Sequence, residues 1–537
     1  MAPTLALSGF MGAGKSSVGA LVAARLGWRY VDLDEEFERL HPGGIAEFFA
    51  EHGETAFRVE ECRLLQAVLE SGQCEPGLVL ALGGGTLESP EAAALLGRQA
   101  GVVYLQVDLS TAWDRSRGTG RPLAQDQEQF ARLLERRRER YEETADWLVP
   151  VADKTLEQLA EEIVEIVRLA DSAWPSLWGR RLSATQRSSL IVGGEGALSA
   201  AQKAAERTFL SGRRLFVITD RVVYAAWGGR IAGLLGEGQA PPVLVVDPGE
   251  RTKGVEWLVR CWEWLAAQKA RRDEVVVAFG GGVVGDLAGF TAATYQRGVP
   301  LWQIPTTLLA QVDSSVGGKT AINLDAGKNL VGAFYQPDLV FVDPVLLTTL
   351  PDEVYVSGLA EVIKCALLSS QSFFAFLEKQ QEKIRKRDPA VLATVVKRCV
   401  MYKAKVVEED ERDQGMRAVL NLGHTTAHAL EATLGYGALS HGQAVALGLL
   451  VALRVSERLL GLDPQVRERT RSLLESFSLP TCVQLPDLDR LLQAASRDKK
   501  VRTGGSGFVG LVDIGSPVYG LDVSPELLAE GLEVIAL

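Results

Sequence analysis

Apolar residues recur with two different periods along this chain, and the alternation between them is the first guide to its fold. In the first third, compact β-branched and aliphatic runs at 5–8, 78–82 and 102–107 read as strands buried on both faces, and helix-period stretches at 16–26, 128–143 and 156–169 lie between or after them. That alternation predicts a three-layer α/β unit over 1–170. The stretch 171–187 breaks the rhythm with Pro175, Gly179, serines and arginines, so it reads as a linker. Runs at 188–192, 215–219, 243–246 and 274–279 then restart a nucleotide-binding style of alternation, giving a second α/β domain over 188–350. Beyond it, to about residue 496, the pattern is helical almost throughout, with apolar faces at 354–368, 390–407, 425–434 and 442–460. The segment 351–537 is therefore read as an α-helical subdomain.

Composition narrows the picture. The 537 residues exceed what one hydrophobic core holds, and at roughly 150 residues per domain they imply three to four domains. Lys and Arg number 57 against 68 Asp and Glu, a net charge of −11, which argues against a nucleic-acid binder or a membrane-surface protein. Any anionic ligand must then be held by local basic clusters. Apolar runs stay short: the ten residues between Gln443 and Arg454 are about half a bilayer span. The first basic residue, Lys15, already lies in a glycine-rich loop, so no basic leader is expected and the chain reads as cytoplasmic. Six scattered cysteines without a C-x-x-C pair suit buried thiols in a reducing compartment, not disulfides or a cysteine zinc site.

Residues 9–16, Gly-Phe-Met-Gly-Ala-Gly-Lys-Ser, fit G-x-x-x-x-G-K-[ST] between a predicted strand and a predicted helix. Backbone N–H groups around Gly12 and Gly14 cradle phosphates there, Lys15 reaches the outer phosphates, and the Ser16 hydroxyl, followed by Ser17, ligates magnesium. Asp32 and Asp34 close the next strand; alone they would be an ordinary acidic turn. They are followed in order by Arg58, by Gly83-Gly84-Gly85 after an apolar run, and by Arg121-Pro122-Leu123 in a polar, lid-like stretch. On these motifs the first ~170 residues resemble shikimate kinase, a P-loop, NMP-kinase-like fold. The resemblance implies transfer of the ATP γ-phosphate, with Mg2+, to the 3-hydroxyl of shikimate. It makes Asp34 the base, sets Asp32 to organise magnesium through water, closes Arg121 over the phosphoryl group and stacks Arg115 on adenine. Asp34, Arg58, Gly83, Gly84, Gly85 and Arg137 then hold the substrate, Arg137 being the member of the 136–138 arginine run four residues before Tyr141. The chemistry is coherent, since a substrate carboxylate suits guanidinium forks and a reacting hydroxyl needs a carboxylate.

Three of the five histidines fall between 424 and 441. His424 and His428 share one helix face by spacing, His441 opens the next predicted helix, and Glu361 offers a carboxylate from another. Two imidazoles and a carboxylate suit a catalytic zinc site. Periodicity alone puts a metal on His424 and His428, and ordinary surface histidines are an equal reading. Upstream, Phe279-Gly280-Gly281-Gly282-Val283-Val284-Gly285-Asp286 follows a buried strand and opens a helix, the setting of a dinucleotide pyrophosphate. Then comes a dense polar stretch containing Arg297, Thr306-Thr307, Asp313, Lys319, Lys328 and Asn329. Together with Asn421-Leu422-Gly423-His424 and Asp498-Lys499-Lys500, these motifs make the chain from about 188 onward closely resemble 3-dehydroquinate synthase.

That resemblance implies a Rossmann-like NAD-binding domain followed by the helical metal-binding one. It carries Zn2+ or Co2+ on Glu361, His424 and His441, overriding the periodic reading, and gives His428 to substrate phosphate. Arg297, Asp313, Lys319, Asn329, Lys364, Lys403, Arg417 and Asn421 become substrate contacts, with Lys499 or Lys500 closing over phosphate. Asp313, Lys319 and His428 are the catalytic candidates. NAD falls to Asp220, Glu250, Lys253, Gly281, Gly282, Val283, Asp286, Thr306, Thr307, Lys319 and Lys328. Two positions depart from the family's habit: Val222, where a small polar residue is frequent, and Asp413, where glutamate is common. The implied reaction is cyclisation of 3-deoxy-arabino-heptulosonate 7-phosphate to 3-dehydroquinate with phosphate release. The expected partners are small molecules and, through the cyclase half, a second copy of the chain. The alternative is a kinase of another small polyol acid joined to another sugar-phosphate cyclase or an NAD-dependent polyol dehydrogenase; the basic residues in both sites favour charged substrates over it.

Overall fold

Strands that are apolar on both faces must be covered on both faces, and the first third of the chain does this with a parallel sheet. The computed structural model describes residues 3–71, 76–118, 125–170, 176–185, 187–236, 239–435, 438–501 and 507–537, with side chains described except at 497–501. It divides into two compact units, Met1–Arg181 and Leu182–Leu537.

In the first unit β1 (Thr4–Ser8), β2 (Arg29–Asp32), β3 (Leu78–Ala81), β4 (Gly101–Gln106), β5 (Trp147–Pro150) and β6 (Leu177–Leu182) pair in the order β2-β3-β1-β4-β5-β6, all parallel. Leu5, Leu7, Val79, Val103 and Leu105 are fully buried in it. Parallel pairing brings the loops after β1, β2 and β3 to one end of the sheet. The glycine-rich turn, Asp32 and the triple glycine, far apart in sequence, therefore become neighbours. The segment expected to be a linker contains a strand. Its described residues include β6, in which Gly179 pairs with Trp147 and Arg180 with Leu148 while Leu177, Trp178 and Leu182 are buried. A buried Arg180 and a glycine inside the strand broke the apolar run by which strands are recognised. Residues 171–175 and 186 lie outside the described residues.

The second unit builds another parallel sheet from β7 (Ser189–Gly194), β8 (Leu215–Asp220), β9 (Val243–Val246), β10 (Val275–Gly280), β11 (Leu301–Pro305) and β14 (Leu339–Val342) in the order β7-β14-β11-β10-β8-β9. Between β11 and β14, β12 (Lys319–Leu324) and β13 (Gly327–Phe334) form an antiparallel hairpin from the polar stretch singled out in the sequence. The helical part follows, with Asp352–Ser369, Pro389–Glu409, His424–Leu434 and His441–Leu460 among its helices. His441–Leu460 is the axis of this part: Ala444 through Leu453 are buried, and it packs on Asp352–Ser369 and His424–Leu434. The ten-residue apolar run is thus a helix surrounded by protein. No helix among the described residues is long and apolar enough to cross a membrane. A C-terminal hairpin of β15 (Phe508–Asp513) and β16 (Ser516–Leu521) interrupts the expected all-helical pattern.

Candidate active sites

In the first unit the turn after β1 carries Gly12 and Gly14 at positive φ and leads into helix Lys15–Leu26. Its first-turn N–H groups have no intrahelical partner, which makes the turn an anion cradle. Lys15 Nζ donates to the Gly9 carbonyl at 2.8 Å, and Arg115 Nη1 to the Gly12 carbonyl at 3.3 Å. Ser16 and Ser17 are exposed in the first turn. Asp32 caps the next helix, Leu33–Leu40, through Oδ1, and its Oδ2 accepts from the Tyr30 hydroxyl at 3.3 Å. Burial, reinforced by Asp32, pushes the Tyr30 phenol well up, so it remains a donor.

Asp34 stands in the first turn of that helix and faces the triple glycine. A Cβ on Gly83 would lie 2.6 Å from Asp34 Oδ1 and 2.8 Å from Glu61 Oε1, and one on Gly85 would collide with the Arg58 guanidinium. Only glycine allows these side chains to lie against the backbone. Arg137 completes the wall beside Gly84. It is 5% exposed, whereas Arg136 and Arg138 turn outward, which places the inward position of the arginine run at 137. The structure thus brings Asp34, Arg58, the three glycines and Arg137 together; Arg121 lies outside the described residues. It adds residues that sequence reading missed. Glu61 accepts from Arg58 at 2.8 Å and from Thr86 at 2.6 Å; Glu88 accepts from Arg137; and the Tyr141 hydroxyl donates to the Gly84 carbonyl. Glu61 stands three residues after Arg58 on one helix, a spacing that signals a pair.

In the second unit Glu361, His424 and His441 offer ligand atoms that all lie within 4.8 Å of one another. Each comes from a different helix. The His424 helix can start where it does because Gly423 has φ 79°, and a Cβ there would lie 2.8 Å from the Leu449 backbone N. Ser440 and Gln443 form a capping box that fixes the start of the His441 helix. The Nε2 atoms of His424 and His441 stand 3.4 and 3.5 Å from the same Glu361 oxygen, Oε1. Their Nδ1 atoms turn away, to the Leu422 carbonyl at 3.2 Å and Glu431 at 3.4 Å. Both imidazoles thus present Nε2 inward, the arrangement of a three-ligand metal site with an open position. His428 shares the helix face of His424, with ring centroids 5.6 Å apart, but is not one of the three.

The charges around the trio act on one another at short range. Burial raises the Glu361 carboxyl, but Lys364 and His424 outweigh it and hold the group well below its ordinary range. Burial and the Lys364 ammonium push His424 down to about 4. Burial opposes protonation of His441, yet Glu361 and Glu431 prevail and lift it to about 9. Lys403 Nζ donates to the Asp313 carboxylate at 2.7 Å and to its carbonyl at 2.6 Å, across a single π-type turn, Ala310–Ser314. Burial brings Lys403 down to about 8. Lys319 meets Asp413 at 2.5 Å, and Arg417 donates to the Glu411 and Gly317 carbonyls. Asn421 ends the short helix Met416–Asn421, three residues before His424.

The residues expected to hold a dinucleotide lie at and after the ends of β8, β9, β10 and β11, with Lys328 on β13. Gly281 caps helix Gly282–Thr294, whose first turns carry Val283 and Asp286. Gly281 packs against Thr307, and Thr306 is buried. Lys253 pairs with Asp286 and donates to Asn329 Oδ1, while Asn323, absent from the sequence reading, donates to Glu250 at 2.7 Å. Asp220 caps its own helix through the N–H groups of Val222 and Val223. Burial raises the Glu431 carboxyl, but His441 first, then Lys328 and His428 outweigh it and hold the group below its ordinary value. Arg297 is exposed in the turn Tyr295–Arg297, at φ 64°, and takes no part in these contacts. Lys499 and Lys500 lie on helix Leu488–Val501, and their side chains are outside the described residues.

Comparison with known proteins divides the chain in the same sense. Residues 11–168 match the family described as shikimate kinase, 243–357 the 3-dehydroquinate synthase N-terminal family and 358–501 its C-terminal family. The 3-dehydroquinate synthase of Shewanella loihica is 42% identical over 325 residues, 60% of this chain and 90% of that protein. That of Nitrosomonas europaea is 44% identical over 324 residues, 60% of this chain and 88% of its own length. Among solved structures, 2-epi-5-epi-valiolone synthase from Streptomyces hygroscopicus subsp. jinggangensis, with NAD+ and Zn2+ bound, aligns at TM-score 0.61 and 25% identity, covering 66% of this chain and 98% of that one. A 2-deoxy-scyllo-inosose synthase complexed with carbaglucose-6-phosphate, NAD+ and Co2+ aligns at 0.60 and 26%, covering 66% and 99%.

Proposed function

Because the chain belongs to the 3-dehydroquinate synthase family and carries a shikimate kinase domain ahead of that part, making it a bifunctional shikimate-pathway enzyme, we propose how its own residues divide the two reactions. The kinase occupies 1–170 extended by β6, and the cyclase pairs a dinucleotide domain ending near 350 with the helical part that follows.

In the kinase, Gly12, Gly14, Lys15, Ser16, Ser17 and Arg115 bind ATP with Mg2+, Asp32 helping to place the ion and Arg121 covering the transferring group. Asp34 orients the 3-hydroxyl of shikimate and takes its proton, while Arg58 and Arg137 hold the substrate carboxylate against the glycine wall.

In the cyclase, the convergence of Glu361, His424 and His441 beside a buried lysine and arginine cluster is the observation that carries the reading. One carboxylate and two inward imidazole nitrogens are a donor set suited to Zn2+ or Co2+. Bound there, the metal supplies acidity to the substrate alcohol, and NAD supplies a reversible hydride acceptor that is returned unchanged. The remaining work falls to the protein. Asp313, Lys319, Lys364, Lys403, Arg417 and Asn421 fix the carboxylate-bearing substrate, with Asn329 and Arg297 at its edge. His428 and Lys499 or Lys500 receive the phosphate that leaves. Lys253, Asp286, Glu250, Asp220, Thr306, Thr307, Lys328 and the 281–283 turn position the dinucleotide. The protein works in the cytoplasm, on small molecules, as a homodimer through the cyclase half.

The test supplies purified protein with 3-deoxy-arabino-heptulosonate 7-phosphate, NAD and zinc, and separately with shikimate, ATP and magnesium. The expected products, 3-dehydroquinate with phosphate and shikimate 3-phosphate with ADP, are identified by mass and NMR. Absence of either product overturns that half of the assignment.

A further inference from the structure

Glu88 is not part of any sequence motif, yet its carboxylate sits on the two arginines assigned to the substrate carboxylate. Its Oε2 accepts from Arg137 Nε at 3.0 Å and closely from Nη2, and stands 3.5 Å from Arg58 Nη2. A single oxygen therefore lies where two guanidiniums meet. The other oxygen, Oε1, accepts from Arg136 Nη2 at 3.2 Å. Arg137 and Arg58 are inside the wall, with 6% and 18% of their side chains exposed, whereas Arg136 is 69% exposed. Arg58 Nε is buried with no hydrogen-bond partner among the described residues. Three arginines thus share one carboxylate between an inner and an outer position.

We propose that Glu88 is an internal stand-in for the substrate carboxylate, held on Arg137 and Arg58 when the site is empty and passed outward to Arg136 when shikimate binds. The inference deepens the kinase assignment above and rests on it. The physical reason is symmetrical. A buried guanidinium without an anion is costly; Arg58 keeps Glu61 at 2.8 Å, but the ion-pair partner of Arg137 among the described residues is Glu88, so the empty site needs a carboxylate there. Two carboxylates on the same pair of arginines repel, so the arriving one must displace the first. Arg136, solvent-exposed and already bonded to Oε1, gives the displaced group a place to go without breaking every contact. Glu88 then tunes affinity for acids: only a ligand that offers its own carboxylate in that position, together with the contacts of Asp34 and the glycine wall, replaces it.

The test measures the Kd by calorimetry and the KM by ADP release, for shikimate and for its carboxamide, in the full chain. Glu88→Gln keeps the size and an acceptor oxygen but removes the charge. It is expected to tighten shikimate about two- to fivefold, the scale of a partly exposed ion pair, with kcat and the KM for ATP unchanged. The carboxamide, having no carboxylate to compete, is expected to show no gain. Arg136→Ala removes the outer position and is expected to weaken shikimate in the wild type but not in the Glu88→Gln background. Glu88→Ala, as a second variant, should move shikimate in the same direction as Gln. Unchanged or weaker shikimate binding in Glu88→Gln, or an equal gain for acid and carboxamide, overturns the proposal and marks Glu88 as a brace for Arg137. Failure of the underlying assignment shows differently, as a wild type that releases no shikimate-dependent ADP, and the proposal falls with it.

Discussion

At the scale of single residues, one charge counts for most where water is scarce. Asp34 faces the backbone of the triple glycine, and changing it to Asn keeps its volume while removing both the proton acceptor and the negative charge. Shikimate phosphorylation should fall by roughly 10²- to 10⁴-fold in that variant, the usual share of a general base, with nucleotide affinity and cyclase rates retained. Steady-state kinetics with shikimate and equilibrium binding of an ATP analogue check both parts. Lys403 offers a pH signature in the other unit. Burial lowers its ammonium to about 8, so it is charged below that value and neutral above it. Its ion pair with Asp313, and with it the hold on an anionic substrate proposed above, is therefore present on the acid side and lost as pH rises through about 8. The kcat/KM of the cyclase should fall on that limb, and Lys403→Arg, whose charge does not titrate there, should shift the fall to higher pH even where its overall rate is lower.

Elements explain which parts of this could be read in advance. The phosphate turn was legible because its glycines, lysine and serine lie within one strand–turn–helix unit, and the fold keeps them adjacent. The metal trio was legible only through family resemblance. Periodicity pairs His424 with His428 on one helix, whereas His441 reaches Glu361 from the start of another helix, a tertiary fact with no local period. Glu88 left no trace at all, since its partners lie 30 and 49 residues away. The strand β6 was missed for the reason given by its buried arginine: apolar periodicity fails where a charged residue is inside. The start of the His441 helix yields a prediction of its own. Ser440→Ala removes one half of the capping box, and it should cost about 1 kcal/mol of stability, read as a lower denaturation midpoint of the metal-free protein. Because His441 is the next residue, the same change should weaken zinc retention in competition with a chelator while leaving kinase turnover untouched.

The whole molecule keeps two chemistries in two compact units, and its responses should separate accordingly. Prolonged chelation should abolish the cyclase and leave a kinase that magnesium alone restores, because among the described residues only the second unit gathers a trio that could hold such an ion. His441→Ala should likewise lose bound metal, measured by elemental analysis, and spare phosphoryl transfer. The boundary also matters. A fragment ending at residue 170 lacks β6 and with it the burial of Leu177 and Trp178, at about 1.5–3 kcal/mol for each large apolar side chain. It should unfold at markedly lower denaturant than a fragment ending at 184, which should retain kinase activity. Equal stability of the two would show that β6 adds nothing to the first unit.

The glycine wall of the kinase bears on drug resistance. An inhibitor that rests on Gly83 and Gly85 touches backbone, and any replacement there would introduce a Cβ into the space of Asp34, Glu61 or Arg58. A larger residue there would have to push those side chains out of their present places. Escape mutations against such a compound should therefore appear at the rim, at positions such as Arg136 and Glu88, and compounds that avoid the rim should keep their potency longest under serial selection.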